Sequence, residues 1–519
     1  MDHPIAGAAS GETAEIRGAE GFIISGKRTE EYRIFLWCVL IPNDIWYSYD
    51  HEIGVLPISF FMLIFNGYKE ELRLEQRKLK RDLSNRHVQL IAIGGTIGTG
   101  LFLGSGKAIQ LAGPSIIFAY LIVGIALFFV MRALGELLLS KAGFQSLPDI
   151  AEEYLGHRFS FVTGWTYWFC WIMTAMADVI AVGVYVNYWF DIPQWVPALI
   201  CVIILLGLNL LTVKLFGELE FWFALIKVIT ILGLIALGII LLVIGFKTDA
   251  GAVTVQNLWD HGGLFPNGIS GFLLSFQMVI FAYVGVELVA VSAAETSNPE
   301  KNIPSAINKI PLRILFFYVG ALTVLLFINP WMELNAAESP FVKTFSLVGI
   351  PLAAGVVNFV VLTSAASACN SGMFSTSRIL YHLSKDHQAS SSFSKLNQNH
   401  VPSNGLFLST LVISSGALLS KLIPEQAFGI VTTISAICFI WVWSIILICH
   451  IKYKKTRPYL HVKSSFKAPF TPLINYVVLT LFAGILVIML ISEATRPALL
   501  LTPMWFLLLF ILYGVRRKS

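Results

Sequence analysis

His87-Val-Gln-Leu-Ile-Ala-Ile-Gly-Gly-Thr-Ile-Gly-Thr-Gly-Leu-Phe-Leu-Gly-Ser-Gly106 is apolar enough to enter a bilayer, yet six glycines punctuate it: Gly94, Gly95, Gly98, Gly100, Gly104 and Gly106. Glycine is among the weakest helix formers, so a simple anchor would not carry so many. It lets the backbone unwind and present N–H and C=O groups to something other than the next helical turn. Within a membrane, unwound backbone is tolerated only where it is buried in protein or lines a cavity. The run therefore predicts a helix broken at the depth where a transporter holds its solute.

The rest of the chain agrees with a membrane setting. Its 519 residues are 56% hydrophobic and 13% charged, with a mean hydropathy of +0.74; a soluble protein carries roughly 25% charged residues. Apolar runs of about 20 residues recur, which is the signal of helical spans. Transmembrane β-strands would instead alternate apolar and polar residues over short segments. Twelve spans are predicted, at 88–107, 114–138, 160–188, 196–213, 221–245, 270–294, 311–330, 348–381, 405–422, 427–450, 473–491 and 499–515.

Loop charge orients them. Lys69, Arg73, Arg77, Lys78, Lys80, Arg81 and Arg86 precede the first span, and the even-to-odd loops carry Lys141, Arg158, Lys214, Lys301, Lys385 and the Lys452–Arg457 cluster. The positive-inside rule then puts both termini in the cytoplasm. The net charge of +5 is spent on these loops and is no nucleic-acid footprint. The six cysteines have no metal-type spacing and read as small packing residues. Residues 1–82 read as a cytoplasmic extension without an assigned role, Met62 being an alternative start, and no secretory signal stands out there. Residues 83–519 form the transmembrane domain.

The sixth span, Phe272-Leu-Leu-Ser-Phe-Gln-Met-Val-Ile-Phe-Ala-Tyr-Val-Gly-Val-Glu-Leu-Val289, is also interrupted, by Gly285 with Glu287 beside it. Spans one and six lie five apart. Matching broken helices in two inverted five-helix halves point to a substrate site at the midplane, with two further helices outside the repeat. In the first break, backbone N–H groups around Ile97, Gly98, Thr99 and Gly100 suit a carboxylate, as helix N-termini do. Close packing is the competing explanation, since Gly94/Gly98 and Gly100/Gly104 both fit GxxxG. In the second break, carbonyls near Phe281, Ala282 and Tyr283 suit an ammonium, and Phe281 and Tyr283 are candidate gate residues; plain aromatic packing competes here.

Ionisable residues deep in apolar spans are rare and functional by default. Asp178, Glu287 and Lys227 qualify. Burial favours the uncharged form of each, so all three are candidates to carry a coupled proton. Snorkelling to the membrane edge is the alternative for Lys227. Glu136, Glu218 and Glu220 lie near span ends and read as structural; Thr363, Ser364, Ser367 and Asn370 read as helix-to-helix hydrogen bonders. No nucleophile elbow, HExxH or P-loop occurs, so an enzyme is not expected, and neither metal nor organic cofactor is called for. Uphill transport would draw on an ion gradient.

Asn85–Phe102, Ala112-Gly-Pro-Ser-Ile-Ile-Phe-Ala-Tyr120, Arg132-Ala-Leu-Gly-Glu-Leu137 and Ala294–Asn308 resemble, in series, the motifs of the amino acid–polyamine–organocation superfamily. Within it, Phe161–Trp171, Met176–Val179 and Val361–Ser367 are similar to the branch that carries D-serine, D-alanine and glycine. The resemblance runs from about Leu83 to the C-terminus. It implies the inverted-repeat (LeuT-like) fold and proton-coupled import of small neutral amino acids across the plasma membrane. It implies that the glycine motif at 94–100 holds the substrate carboxylate and that 281–287 faces the amino group. Lys227 would stand where sodium sits in sodium-coupled relatives. Many members carry Glu at the position of Asp178; the D-alanine-type branch carries Asp. A permease for γ-aminobutyrate, proline or aromatic amino acids, and a sensor that binds without transporting, are the rival expectations. Oligomeric state is not legible.

Overall fold

A computed structural model of the chain describes residues 97–141, 144, 146–211, 213–288, 298–334, 338–349 and 351–516, all within the unit Arg77–Ser519. The N-terminal extension, the basic run at 69–86, the part of the first span that holds Gly94 and Gly95, and residues 289–297 lie outside the described residues.

The elements are almost all helical. Two short helices, α1 (Thr99–Phe102) and α2 (Gly104–Ala112), lead through a 3₁₀ turn at Gly113–Ser115 into α3 (Ile116–Ser140). They are followed by α4 (Leu147–Leu155), α5 (His157–Val186), α6 (Trp195–Leu210), α7 (Val213–Val243) and α8 (Gly268–Ala282). A two-stranded hairpin, β1 (Lys247–Thr248) and β2 (Gly251–Ala252), sits between α7 and α8. Next come α9 (Pro299–Asn308), α10 (Ile310–Arg313), a π-helical stretch Ile314–Gly320 and α11 (Ala321–Ile328). The chain ends with α12 (Pro340–Leu347), α13 (Pro351–Lys385), α14 (Ser403–Leu422), α15 (Pro424–Thr456), α16 (Pro458–Lys463), α17 (Leu473–Ile491) and α18 (Arg496–Arg516).

Among the described residues nine helices are long and apolar enough to cross a membrane, and α6 and α8 are shorter apolar helices. The protein is a multi-pass helical membrane protein. The second to twelfth predicted spans overlap these helices, while the first, 88–107, lies in part outside the described residues and ends in α1 and the start of α2. The fifth has a shifted start: α7 begins at Val213, so Glu218 and Glu220 lie inside a helix and not in a loop.

Burial sorts the helices. In the apolar window of α5, 83% of residues are buried, against 17% for α18. So α5 is the central rod, with α13 and α15 along it, and α18 lies outermost with Leu500, Leu501, Met504 and Leu507 exposed. Apolar side chains exposed in bulk along a helix face are what hydrocarbon requires. Between α3 and α5 the turn is set locally. The Ser146 hydroxyl accepts from Asp149 N (3.3 Å) and Asp149 Oδ2 accepts from Ser146 N (2.9 Å). This reciprocal capping box starts α4.

Candidate functional site between two broken helices

Gly98 is extended (φ −130°, ψ −160°), and helical geometry begins only at Thr99. The amides of Leu101 and Phe102 both donate to Gly98 O at 3.2 Å, which closes the first turn. Among the described residues no carbonyl accepts from the amides of Gly98, Thr99 or Gly100. These are the orphan donors that every helix start leaves. The break is pinned from two sides. The Thr99 hydroxyl donates to Asp178 Oδ1 on α5 at 2.6 Å, and the Ser364 hydroxyl on α13 donates to Ile97 O at 3.3 Å.

The second break follows α8. After Ala282 the chain runs through a turn over residues 283–287, with Val284 N bonded to Phe281 O (3.1 Å) and Val286 N to Tyr283 O (3.2 Å). Gly285 has φ +95°, a conformation that a residue with a Cβ adopts only under strain. The Ala282 carbonyl accepts from the Tyr318 hydroxyl of the π-helical stretch at 3.1 Å.

A cavity opens between the breaks. Gly98, Thr99 and Gly100 form one wall, Phe281, Ala282 and Val284 another; Trp171, Thr174 and Asp178 of α5 and Ala368 and Ser371 of α13 close it. Its volume is about 20 Å³; on this measure a single water needs roughly 10–15 Å³. Among the described residues Asp178 is the one ionisable member of the lining, and its buried Oδ2 meets no hydrogen-bond partner. A buried carboxylate oxygen left so is costly unless a cation or a donor comes to it.

The family model for amino acid permeases matches residues 87–519. The chain belongs to this family. It is 60% identical to the amino-acid permease AapA of Bacillus subtilis over 88% of this chain and 99% of that protein. It is 50% identical to the D-serine/D-alanine/glycine transporter of Escherichia coli K12, over 86% of this chain and 96% of the relative. The E. coli aromatic amino acid transport protein AroP is 40% identical over 85% and 96% respectively.

The permease places the sequence-derived candidates unequally. Gly98, Thr99, Gly100, Phe281, Ala282 and Asp178 line the cavity; Ile97 does not line it, but directly precedes Gly98 and its carbonyl accepts from Ser364. Tyr283 does not line it. Its hydroxyl donates to Tyr120 O at 2.9 Å, and its ring lies 4.6 Å from that of Tyr318. Of the two aromatics expected at a gate, Phe281 borders the cavity, whereas Tyr283 is turned into the packing between α8, α3 and the π-helical stretch. Glu287 is fully buried but also outside the lining, with the Tyr167 hydroxyl 3.4 Å from its Oε1. Tyr167 and Asp178 are eleven residues apart on α5, about 16 Å along a helix axis, so the two carboxyls serve different places.

Lys227 does not snorkel: it is 1% exposed. Its ammonium donates to Ser367 Oγ (3.1 Å), and the Ser367 hydroxyl donates to Glu220 Oε2 (2.9 Å). Glu220, read from the sequence as a span-end residue, is equally buried. Asn370 donates to its Oε1 at 3.4 Å, and Asn209 to Asn370 Oδ1 at 2.7 Å. Trp171, Thr174, Ala368, Ser371 and Glu220 escaped sequence reasoning. Helical spacing would have found most of them. Thr174 and Trp171 lie four and seven residues before Asp178, Ala368 and Ser371 four and seven after Ser364, and Glu220 seven before Lys227; each such pair shares a helix face.

Proposed function

We propose that the permease imports small neutral amino acids, D-alanine, D-serine and glycine, across the plasma membrane together with protons. The observation that carries this reading is the buried, unpartnered Oδ2 of Asp178, in the lining of a cavity that is also lined by Gly98, Thr99 and Gly100, whose amides meet no carbonyl among the described residues. A zwitterion answers both ends: its carboxylate takes the amide donors and its ammonium takes Asp178 and the carbonyls of the second break. Trp171, Phe281, Val284 and Ala368 leave little room for a side chain, which favours small substrates. The name of the relative that transports D-serine, D-alanine and glycine points the same way. Alternating access would rock one group of helices against the other around this fixed point, with both termini in the cytoplasm. Asp178, Lys227 and Glu287 are the proton-coupling candidates, and Asp178 is the one in the cavity wall.

The test is uptake of labelled D-alanine into membrane vesicles with and without a protonophore, competed with unlabelled glycine, D-serine, proline, γ-aminobutyrate and phenylalanine. Accumulation lost with the protonophore and competed only by the small solutes supports the proposal. Uptake indifferent to the proton gradient removes the coupling; competition by phenylalanine or γ-aminobutyrate alone removes the substrate class. Saturable binding with no accumulation would make the protein a sensor.

A further inference from the structure

Glu220 has no part in holding a zwitterion, and it lies beyond the cavity wall. It is nevertheless the end point of an unbroken polar chain. Lys227 lies within electrostatic reach of two carboxylates, Glu220, which does not line the cavity, and Asp178, which does. Its ammonium donates to Ser367, and Ser367 donates onward to Glu220 Oε2, at 3.1 and 2.9 Å. Both donors point the same way, from lysine to glutamate. Asn370, itself held by Asn209, occupies the other carboxylate oxygen and so keeps Oε2 turned to Ser367. Ser371, one turn past Ser367 on α13, borders the cavity. Glu220 lies seven residues before Lys227 on α7, about 10 Å nearer the start of that helix, which is the cytoplasmic end in the proposed orientation.

We propose that Glu220 is the exit acceptor for the coupled proton, reached from Lys227 through the Ser367 hydroxyl. This rests on the proton-coupled reading above. In the transfer an N–H bond of the Lys227 ammonium breaks as an O–H bond forms at Ser367. The proton already on Ser367 passes to Glu220 Oε2. An ammonium and a carboxylate become an amine and a carboxylic acid, with no net change in charge. The transfer itself leaves no buried ion alone, which matters because an unpaired charge in this setting is expensive; after release, a fresh proton arriving at Lys227 restores the ammonium–carboxylate pair. Glu220 then gives its proton to water when the cytoplasmic side opens.

The experiment uses the full chain in proteoliposomes with an imposed proton gradient. Wild type, Glu220→Gln, Glu220→Asp and Ser367→Ala are compared in gradient-driven D-alanine accumulation and in exchange of labelled for unlabelled D-alanine, which needs binding and alternating access without net proton release. The expected result is that Glu220→Gln and Ser367→Ala lose accumulation and continue to exchange, and that Glu220→Asp recovers part of the accumulation. Where Glu220→Gln fails to fold, Ser367→Ala decides, since it keeps both ionisable ends. A folded Glu220→Gln or Ser367→Ala that accumulates like wild type overturns the route while leaving proton coupling intact. A wild type that ignores the imposed gradient overturns both.

Discussion

Gly100 and Ala282 meet backbone to backbone: a Cβ on Gly100 would lie 2.5 Å from the Cα of Ala282 and 3.0 Å from its nitrogen. The two broken helices therefore touch where neither has a side chain to spare. Backbone cannot retreat as a flexible side chain can, so Gly100→Ala is expected to cost about 1–3 kcal/mol and to abolish D-alanine uptake. Thermal melting of the purified protein with an uptake assay checks both.

Gly98→Ala should behave differently. The nearest atom to a Cβ there is Ala368 Cβ at 3.6 Å, an ordinary contact. The variant is expected to melt like wild type. Since Gly98 lines the cavity, the added methyl should raise KM for D-alanine more than for glycine, read from initial uptake rates.

Asp178→Asn keeps the shape of the side chain and an acceptor for the Thr99 hydroxyl while removing the charge. It is expected to fold, with a melting temperature near that of wild type, and to lose concentrative uptake. Wild-type accumulation by this variant would reduce the carboxylate to a packing role.

Glu136 tests the end of the bundle where α3 meets α15 and α16. It is fully buried at the end of α3 and is bonded by His450 Nε2 (3.0 Å), His461 Nδ1 (2.5 Å) and Ala468 N (2.7 Å), tying α3 to α15, α16 and the segment before α17. Asn475 holds the other face of His450 at 2.9 Å. Removing one member of such a buried set costs about 3–5 kcal/mol. Glu136→Ala is thus expected to lower the melting temperature markedly, and Glu136→Gln less.

Glu153, on α4 outside the spans, supplies the pH dependence. Its hydrogen bond to Lys141 (2.6 Å) and the nearby Arg457 guanidinium hold its carboxyl below the usual carboxylate range. A depressed folded-state value means that the stabilisation is present above the ordinary carboxyl value, about 4.3, and is lost as pH falls below it. These partners are partly exposed, so the whole effect is roughly 0.2–1 kcal/mol. Wild type should melt above Glu153→Gln at pH 7, and the two curves should converge in acid.

The sequence carried the architecture further than the site. Apolar length marked the helices, and the glycines marked both interruptions, because both signals are local. Side-chain direction is not local. Tyr283 sits in the broken stretch yet turns its ring to Tyr120 and Tyr318, which depends on neighbours 163 and 35 residues away. Glu220 looked peripheral because the apolar run begins after it, whereas α7 starts at Val213 and carries it inside.

The two bonds that pin the first break, Thr99 to Asp178 and Ser364 to the Ile97 carbonyl, are both made by hydroxyls. The second break is instead lashed to α3 and the π-helical stretch by tyrosines. Thr99 takes only Oδ1 of Asp178 and leaves Oδ2 open, so under the proposed function an arriving ammonium or proton would share one carboxylate with the latch of the first break. Loading of the cavity would then be felt, through a single side chain, by the bond that holds the break.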